Sequence, residues 1–255
     1  MRQLEMLGIK VTAAGMVEIH AEIDRLIGRG GPGFILSVNA HAVNLARTRP
    51  WLADFFKQAD VVHVDGGGII LAAKAFGYRI PQRITWADWW PPLSRHIADR
   101  QYRLFLLGGP EGLPDAAAAR IRQAFPRIRI VGTQHGFFQK RGPENEATIR
   151  LINRAAPDIL WVGMGMPLQE KWVLDNCRKL NVKVFMICGS AYRYMAGLRT
   201  RAPRWMLDNH MEWLWMLLEE PRRGLVRYLW GNPLFLMYTL VERLKMKNTA
   251  FKARR

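Results

Sequence analysis

The chain has 255 residues, 49% of them apolar and 23% charged, which is the composition of a globular protein large enough to bury a core. Its net charge of +17 predicts an anionic partner: nucleic acid, an acidic membrane surface or a phosphorylated substrate. No segment approaches the roughly 20 uninterrupted apolar residues of a membrane-spanning helix, and the N-terminus lacks the apolar core of a signal peptide. We therefore expect a protein that is neither exported nor membrane-spanning.

Short apolar runs rich in β-branched residues alternate with helical patterns along the chain. Strands are predicted at residues 34–38, 61–64, 103–107, 128–131, 159–162 and 182–187, and helices at 40–48, 69–76, 114–125, 144–155 and 168–180. This alternation predicts an open, mostly parallel, Rossmann-like α/β sheet with helices on both faces. We place this core at residues 1–192 and a basic helical appendage at residues 193–255.

The ends of the predicted strands carry the polar and glycine-rich stretches. Ligands of open parallel sheets bind at the carboxyl ends of the strands. Glycines there let backbone N–H groups approach a phosphate, and on this ground we assign Gly108 and Gly109 to contacts with a donor diphosphate or ribose. The chain contains neither GxGxxG with its ribose-binding acid nor GxxxxGK[ST]. A dinucleotide dehydrogenase and a P-loop enzyme are disfavoured, whereas a nucleotide-sugar site is not.

Asp65 ends an apolar run and is followed by Gly66, Gly67 and Gly68. An Asp at this position is most often the N-cap of the next helix. Here the preceding His63 points the same way as Asp65, and the glycines leave the carboxylate without side-chain neighbours. Such a carboxylate is what a general base needs to deprotonate an attacking hydroxyl. No DxD-like pair accompanies it to hold Mg²⁺ beside a diphosphate, so arginines would have to neutralise a leaving diphosphate.

Several motifs resemble those of the WecG/TagA/CpsF glycosyltransferases, also called glycosyltransferase family 26, over nearly the whole chain. The matching stretches are Ser37-Val-Asn-Ala-His-Ala-Val-Asn-Leu-Ala46, Ala59-Asp-Val-Val-His-Val-Asp-Gly-Gly-Gly-Ile69, Pro81-Gln-Arg-Ile-Thr85, Leu106-Leu-Gly-Gly109, Pro157-Asp-Ile-Leu160, Gly165-Met-Pro-Leu-Gln-Glu-Lys-Trp172, Arg201-Ala-Pro-Arg-Trp205, Glu212-Trp-Leu214, Glu219-Glu-Pro-Arg-Arg223 and Tyr228-Leu-Trp-Gly-Asn-Pro233. The resemblance implies an inverting enzyme that moves a sugar from a UDP-sugar to a polyprenyl-diphosphate-linked sugar in polysaccharide biosynthesis. It further implies a peripheral protein at the cytoplasmic face of the plasma membrane that uses no metal and no cofactor.

The resemblance also implies roles for individual residues. Asp65 falls on the family's proposed general base. Asn39 and Ser37, the latter where relatives often carry Thr, would line the acceptor or donor-sugar side of the cleft. Arg83 stands where the family places a cation suited to the developing diphosphate charge. Gln169 matches the glutamine proposed to contact the donor.

One stretch departs from the family pattern. Many relatives read Thr-Gly-x-Asp-Leu where this chain reads Thr85-Trp-Ala-Asp-Trp-Trp90. Thr85 and Asp88 are assigned as substrate-binding residues. Trp86 in place of glycine is expected to narrow or reshape the cleft beside them. A glucose donor is therefore at least as plausible as the N-acetylmannosamine-type donors of the best-known relatives.

The C-terminal appendage is basic and rich in tryptophan. Residues 193–255 contain 13 Lys and Arg against 5 Asp and Glu, and their apolar faces suit the interface of an anionic membrane. Arg222, Arg223 and Arg227 are assigned to the membrane surface or to covering the active site. The alternatives are packing of these faces on the core or in a homo-oligomer. Nucleic acid is disfavoured because no recognised binding motif accompanies the charge.

Two functions from different classes remain open on the sequence. The first is the glycosyltransferase. The second is a non-catalytic nucleotide-sugar binding module at the membrane surface. The set of Asp65, Asn39, Arg83 and Gln169 favours the enzyme, because a binding module does not need a general base. The two cysteines, Cys177 and Cys188, have no metal-type spacing and are predicted to be buried free thiols of a reducing compartment.

Overall fold

The computed structural model describes residues 1–252, without the side chains of Arg222, Arg223 and residues 247–252. Its strands are β1 (Arg2–Met6), β2 (Ile9–Ala13), β3 (Gly33–Val38), β4 (Val61–Val64), β5 (Arg103–Gly108), β6 (Arg129–Gln134), β7 (Ile159–Gly163) and β8 (Val184–Ile187). All six predicted strands are present, with differences at their ends. The sequence analysis missed β1 and β2, which form a separate antiparallel hairpin.

The main sheet has six strands in the order β4-β3-β8-β7-β5-β6, and every neighbouring pair is parallel. This confirms the predicted α/β class. Because all six strands run the same way, their carboxyl ends lie along one edge of the sheet. The side chains at the ends of β3 and β4 are neighbours there, since Val38 pairs with Val64. The ends of β5 and β7 form a second pair along the same edge, with Gly108 opposite Gly163.

The helices connect these strands and continue to the end of the described chain. They are α1 (Met16–Arg29), α2 (Ala40–Thr48), α3 (Pro50–Gln58), α4 (Gly67–Ala75), α5 (Trp86–Asp99), α6 (Leu113–Ala124), α7 (Pro143–Ala155), α8 (Leu168–Asn176), α9 (Tyr192–Met195), α10 (Arg204–Asp208), α11 (Glu212–Glu219), α12 (Pro221–Gly224) and α13 (Gly231–Lys252), with a 3₁₀ turn at Cys177–Lys179 and a π-helical turn at Leu225–Trp230. Helices α1, α3 and α5 and the short helices α9, α10 and α12 were not predicted. In α5 two internal prolines, Pro91 and Pro92, weaken the helical signal.

Two apolar cores lie on the opposite faces of the sheet. Alternate strand residues point to opposite faces, so Leu36 and Val38 of β3 join one core while Ile35 joins the other. The first core is completed mainly by α2, α3, α4, α7 and α8. The second is completed mainly by α1, α5, α6 and α9. Helices on both faces leave the carboxyl edge of the sheet as the place where loops can build a site.

The C-terminal segment folds back onto the core through α13. Phe235 is buried in the first core, and the side chain of Asn44 in α2 donates to the carbonyl oxygen of Gly231. Glu242 accepts from the backbone of Leu7 and pairs with Arg47 at 3.3 Å. One face of the appendage therefore packs on the core, as the packing alternative predicted. The boundary at residue 193 remains a prediction.

Candidate active site

Asn39 and Asp65 lie at the carboxyl ends of β3 and β4. Asn39 is the N-cap of α2, and its side chain accepts a hydrogen bond from the backbone N–H of Ala42 at 3.1 Å. Asp65 follows β4 and is held by its own N–H, which donates to the carbonyl oxygen of Val38 at 3.0 Å. The N-cap of α4 is Gly66, not Asp65. The carboxylate of Asp65 is therefore available for something other than capping.

The surroundings of Asp65 favour its protonated form more than water does. Burial, together with the negative charge of Glu212, raises the pKa of Asp65 to about 6, while Arg227, Arg83 and a hydrogen bond with the Asn39 side chain oppose this rise. A carboxyl group with a pKa of about 6 is mostly ionised at neutral pH and is a stronger base than an ordinary aspartate. This is the range in which a carboxylate can act as a general base.

The three glycines after Asp65 allow close packing at this corner of the sheet. A Cβ on Gly66 would lie 2.9 Å from the Cβ of Asn39, and one on Gly67 would lie 2.7 Å from the Cβ of His210. Gly68 faces Phe235 of α13, 3.4 Å from where its Cβ would be. Side chains here would push away either α2 or the C-terminal segment. The glycines thus let the C-terminal segment approach the start of α4 beside Asp65.

Arg83 belongs to a chain of ion pairs that joins the core to α11. It pairs with Glu212 at 3.5 Å, and Glu212 also pairs with Arg201. Arg201 in turn binds Asp88 at 2.6 Å, and Asp88 accepts from the hydroxyl of Thr85 at 2.7 Å. The structure therefore brings Arg83, Thr85 and Asp88 into one network. Ser37 is buried in β3, below the level of Asn39.

The sequence analysis did not single out Glu212, Arg201 and Tyr228 as individual site residues. Tyr228 lies in the π-helical turn, where burial raises the pKa of its phenol and the charges of Asp65, Glu212 and Arg227 also act on it. All three residues fall in stretches that resemble the family. The strand-end rule could not find them because they follow the last strand of the sheet.

The positive charge of Arg227 acts on the carboxylate of Asp65. The Arg227 side chain is exposed, and its positive charge lowers the pKa of both Asp65 and His41. The side chains of Arg222 and Arg223 lie outside the described residues. Of the three arginines predicted to cover the site, Arg227 is the one whose side chain lies within the described residues.

The predicted diphosphate glycines are packed against the neighbouring strand. Gly108 has φ +138°, and a Cβ there would collide with the carbonyl oxygen of Gly163. Gly109 has φ +71° and donates its N–H to that same oxygen at 2.9 Å. Only glycine tolerates these conformations without strain. Both glycines thus have a structural reason to be present, and the N–H of Gly109 is already hydrogen-bonded within the protein.

Gln169 is buried, with 2% of its surface exposed. Its side-chain oxygen accepts from the backbone N–H groups of Met164 and Gly165 at 3.2 and 3.1 Å, and its amide donates to Glu170 at 2.9 Å. The buried side chain of Gln169 therefore fixes the conformation of the loop after β7 through these backbone hydrogen bonds. Glu170 is also buried, and burial raises its pKa to about 7.

His63 and Trp86 lie in the core rather than at the rim of the site. His63 Nδ1 lies 3.0 Å from the carbonyl oxygen of Ile84, and burial lowers the pKa of the ring to about 4. The indole of Trp86 donates to the carbonyl oxygen of Ile187 at 2.8 Å, and its side chain is buried against Trp89 and Trp161. The core accommodates the bulk of Trp86, so its side chain does not itself narrow the cleft, and a reshaping of the cleft beside Thr85 and Asp88 stays a prediction.

The described residues hold neither a metal-binding cluster nor a helix suited to cross a membrane. Within residues 1–252, no cluster of three or more His, Cys, Asp or Glu side chains could hold a metal ion. None of the helices described there is both long enough and apolar enough to cross a bilayer.

The fold and the site place this chain among α/β proteins that carry a titratable carboxylate, here Asp65, at the carboxyl edge of a parallel sheet. The two arginines that act on it, Arg83 and Arg227, form a cationic rim. Residues 4–249 match the sequence model of the Glycosyl transferase WecG/TagA/CpsF family. The chain belongs to this family and is a glycosyltransferase, as the sequence motifs predicted.

The chain is similar to curated proteins from Staphylococcus aureus. An N-acetylglucosaminyldiphosphoundecaprenol N-acetyl-beta-D-mannosaminyltransferase of strain MRSA252 is 25% identical over 247 residues, which cover 96% of this chain and 95% of the relative. The proteins of the same description from strains MW2 and NCTC 8325 are 24% identical over the same lengths. The similarity thus extends through the appendage as well as the α/β core.

Proposed function

We propose that this glycosyltransferase moves a hexose from a UDP-sugar to a sugar carried on a polyprenyl diphosphate, with inversion at the anomeric carbon. The observation that carries the proposal is the carboxylate of Asp65, whose pKa is raised to about 6 beside Arg83 and Asn39. The descriptions of the Staphylococcus aureus relatives name an acceptor of this chemical class. The positive net charge fits two substrates that both contain diphosphate.

Asp65 is proposed to act as the general base. It accepts the proton of the acceptor hydroxyl as that oxygen attacks the anomeric carbon, and the bond from this carbon to the diphosphate oxygen breaks. The electron pair of the broken bond leaves with UDP. Attack opposite the leaving group inverts the anomeric configuration. The side chain of Asn39 hydrogen-bonds to Asp65 and orients its carboxylate.

The arginines around Asp65 are proposed to stabilise the negative charge that develops on the leaving diphosphate. Arg83 and Arg227 both act electrostatically on Asp65 and are therefore close enough to act on a diphosphate bound there. The planar guanidinium of an arginine can bind two phosphate oxygens at once. We propose that this arrangement replaces a metal ion. Gln169 is proposed to support the donor side by holding the loop after β7.

The donor sugar is proposed to be a UDP-hexose, with UDP-N-acetylmannosamine as the first to test because of the descriptions of the relatives. UDP-glucose follows, because the chain departs from the family pattern at Trp86. Since Trp86 is buried, any effect on donor choice would be transmitted through Thr85 and Asp88.

We further propose that the C-terminal segment binds an anionic membrane surface as a peripheral anchor at the cytoplasmic face. Its π-helical turn exposes Val226 and Trp230, each 75% accessible, and α13 exposes a row of apolar side chains: Leu236, Met237, Leu240, Val241 and Leu244. Exposed tryptophan beside Arg227 suits the membrane interface. Assembly into a homo-oligomer through the same surface is the competing explanation.

The transfer activity is tested with purified protein, a panel of UDP-sugars and a polyprenyl-diphosphate-linked N-acetylglucosamine acceptor. We expect one UDP-hexose to give a disaccharide product with inverted anomeric configuration, identified by NMR. Transfer should persist in EDTA. Binding of UDP-sugars without any transfer would instead support the non-catalytic binding module.

The membrane proposal is tested by co-sedimentation with vesicles. Wild-type protein should bind vesicles that contain phosphatidylglycerol, bind neutral phosphatidylcholine vesicles less, and be released by salt. The change Val226→Ser with Trp230→Ala should weaken binding. The matched control is Val17→Ser in α1, which removes an equally exposed valine, 79% accessible, from another surface. Equal binding by all variants, or concentration-dependent self-association without lipid, would contradict the anchor.

A further inference from the structure

Glu212 occupies a central place in the candidate active site although it comes from the C-terminal segment. Its carboxylate pairs with Arg83 at 3.5 Å through one oxygen and with Arg201 through the other. Only 19% of its side-chain surface is exposed. The same carboxylate is close enough to Asp65 to act on it electrostatically. It is therefore a third charged element of the site, between two guanidinium groups and the carboxylate of Asp65.

Without Glu212, two arginines would face each other with no negative charge between them. Among the described residues, Arg201 would then keep one ion pair, with Asp88 at 2.6 Å, and Arg83 would have no ion pair. The pair with Glu212 uses one terminal nitrogen of Arg83. Because a guanidinium has five donors in a fixed fork, the remaining donors of Arg83 stay available to phosphate oxygens.

We propose that Glu212 is a positioning residue for sugar transfer: it holds the guanidinium groups of Arg83 and Arg201 beside Asp65 and thereby couples the C-terminal segment to the reacting groups. This inference rests on the proposed function and adds to it a residue that prepares the site before the diphosphate binds. The network from Glu212 through Arg201 and Asp88 to Thr85 links α11 to the start of α5.

The electrostatic consequence has a definite sign. A neighbouring negative charge raises the pKa of a carboxyl group, so neutralising Glu212 should lower the pKa of Asp65 and make it a weaker base. Asn39 also contacts Asp65, through a hydrogen bond. Among the described residues, the charged and titratable groups that act on Asp65 or are affected by it are Arg83, Glu212, Arg227 and Tyr228.

The test compares Glu212→Gln with wild-type protein by pH-rate profiles and by NMR titration of ¹³C-labelled aspartate, in which Asp65→Asn identifies the Asp65 signal. We expect kcat at neutral pH to fall by about 10- to 100-fold, as is typical of misplaced reacting groups. The acid limb of kcat/KM and the NMR midpoint of Asp65 should both move to lower pH. Glu212→Asp keeps the charge and should recover part of the rate with the wild-type midpoint.

The matched control is Glu219→Gln. It removes a carboxylate from the same helix, where Glu219 pairs with Arg199 at 2.9 Å, and Glu219 is not among the groups that shift the pKa of Asp65. We expect this control to leave the acid limb and the NMR midpoint unchanged.

Two outcomes would overturn the inference: an unchanged rate in Glu212→Gln, or a lower rate with an unchanged Asp65 midpoint and a lower melting temperature, which would indicate a merely structural role. If wild-type protein transferred no sugar, the proposed function would fail. The NMR midpoint would still decide, without any activity, whether Glu212 acts on Asp65.

Discussion

The two glycine-bearing corners at the carboxyl edge of the sheet look alike in sequence but differ in structure. At the end of β4, Gly66 and Gly67 make room for Asn39 and His210, and the neighbouring carboxylate of Asp65 faces a cationic rim. At the end of β5, Gly108 and Gly109 are packed on the backbone of Gly163. The first corner thus holds a carboxylate beside the C-terminal segment, whereas the glycines of the second corner are hydrogen-bonded to the neighbouring strand.

We therefore expect the first corner to serve the reaction and the second corner to serve the stability of the fold. Substituting the charged group of the first corner should change turnover more than stability. Substituting a glycine of the second corner should change stability first, because the backbone itself is in contact. The same separation applies to Gln169, whose side chain is committed to the loop after β7.

The largest effect is expected for Asp65→Asn. Loss of a general base typically lowers the rate by about 10²- to 10⁴-fold, while the nearly isosteric amide should leave the melting temperature and UDP binding close to wild type. Steady-state kinetics and calorimetry measure the two quantities. The matched control is Asp54→Asn, which removes an exposed carboxylate with only a surface pair to Lys57.

The pH dependence of the wild-type enzyme provides a second check on Asp65. Because the base must be ionised and its pKa is about 6, kcat/KM should be level at neutral pH and fall about tenfold per pH unit well below pH 6. A wild-type rate in Asp65→Asn, or a profile without an acid limb near pH 6, would contradict the role of the carboxylate.

Gly108→Ala should have the next largest effect, on stability. The new Cβ would collide with Gly163 in a backbone conformation that disfavours side chains, so we expect a loss of about 3–5 kcal/mol in the free energy of unfolding. Gly112→Ala is the control, since Gly112 has φ +76° but open space around its Cβ. It should cost only about 1–2 kcal/mol. Equal losses, measured by urea denaturation, would show that the collision does not matter.

Substitutions of Arg83 should lower turnover by an intermediate amount. Arg83→Lys keeps the charge but loses the planar fork, and Arg83→Ala loses both, so kcat should fall in the order wild type, Lys, Ala, by about 10- to 100-fold for Ala. Arg79→Ala, at an exposed arginine nearby in the chain, serves as the control. Three equal rates would mean that Arg83 takes no part in the reaction.

The smallest effect is expected for Glu170→Gln and depends on pH. Burial raises the pKa of Glu170 to about 7, above its ordinary value of 4.5. The folded state therefore binds this proton more tightly than the unfolded state, and stability falls as the pH rises from about 4.5 through 7. Glu170→Gln should remove this fall. The free energy of unfolding of the variant, relative to that of wild type, should be about 1–3 kcal/mol higher at pH 8 than at pH 5. Denaturation of both proteins at the two pH values measures this. If the variant and wild type differed in stability by the same amount at pH 5 and pH 8, the raised pKa of Glu170 would be contradicted.

The sequence predicted the six strands of the sheet because each is a short apolar run between turns, and burial on both faces imposes that pattern locally. It also predicted that the polar side chains at the strand ends lie along one edge of the sheet, where Asn39 and Asp65 are found, since parallel strands end at a common edge. It missed α5 because Pro91 and Pro92 weaken the helical signal. The hairpin β1–β2 was also missed, although its register is regular.

The sequence by itself thus determined the α/β class, the family and the position of Asp65 at a strand end, because these follow from local patterns and from motifs read in order. Only the tertiary structure decided which groups surround that carboxylate. Glu212, Arg201 and Tyr228 follow the last strand, and their approach depends on the docking of the C-terminal segment against Gly67 and Gly68. Likewise, the burial that raises the pKa of Asp65 is a property of the assembled site, because no stretch of chain can remove its own carboxylate from water alone.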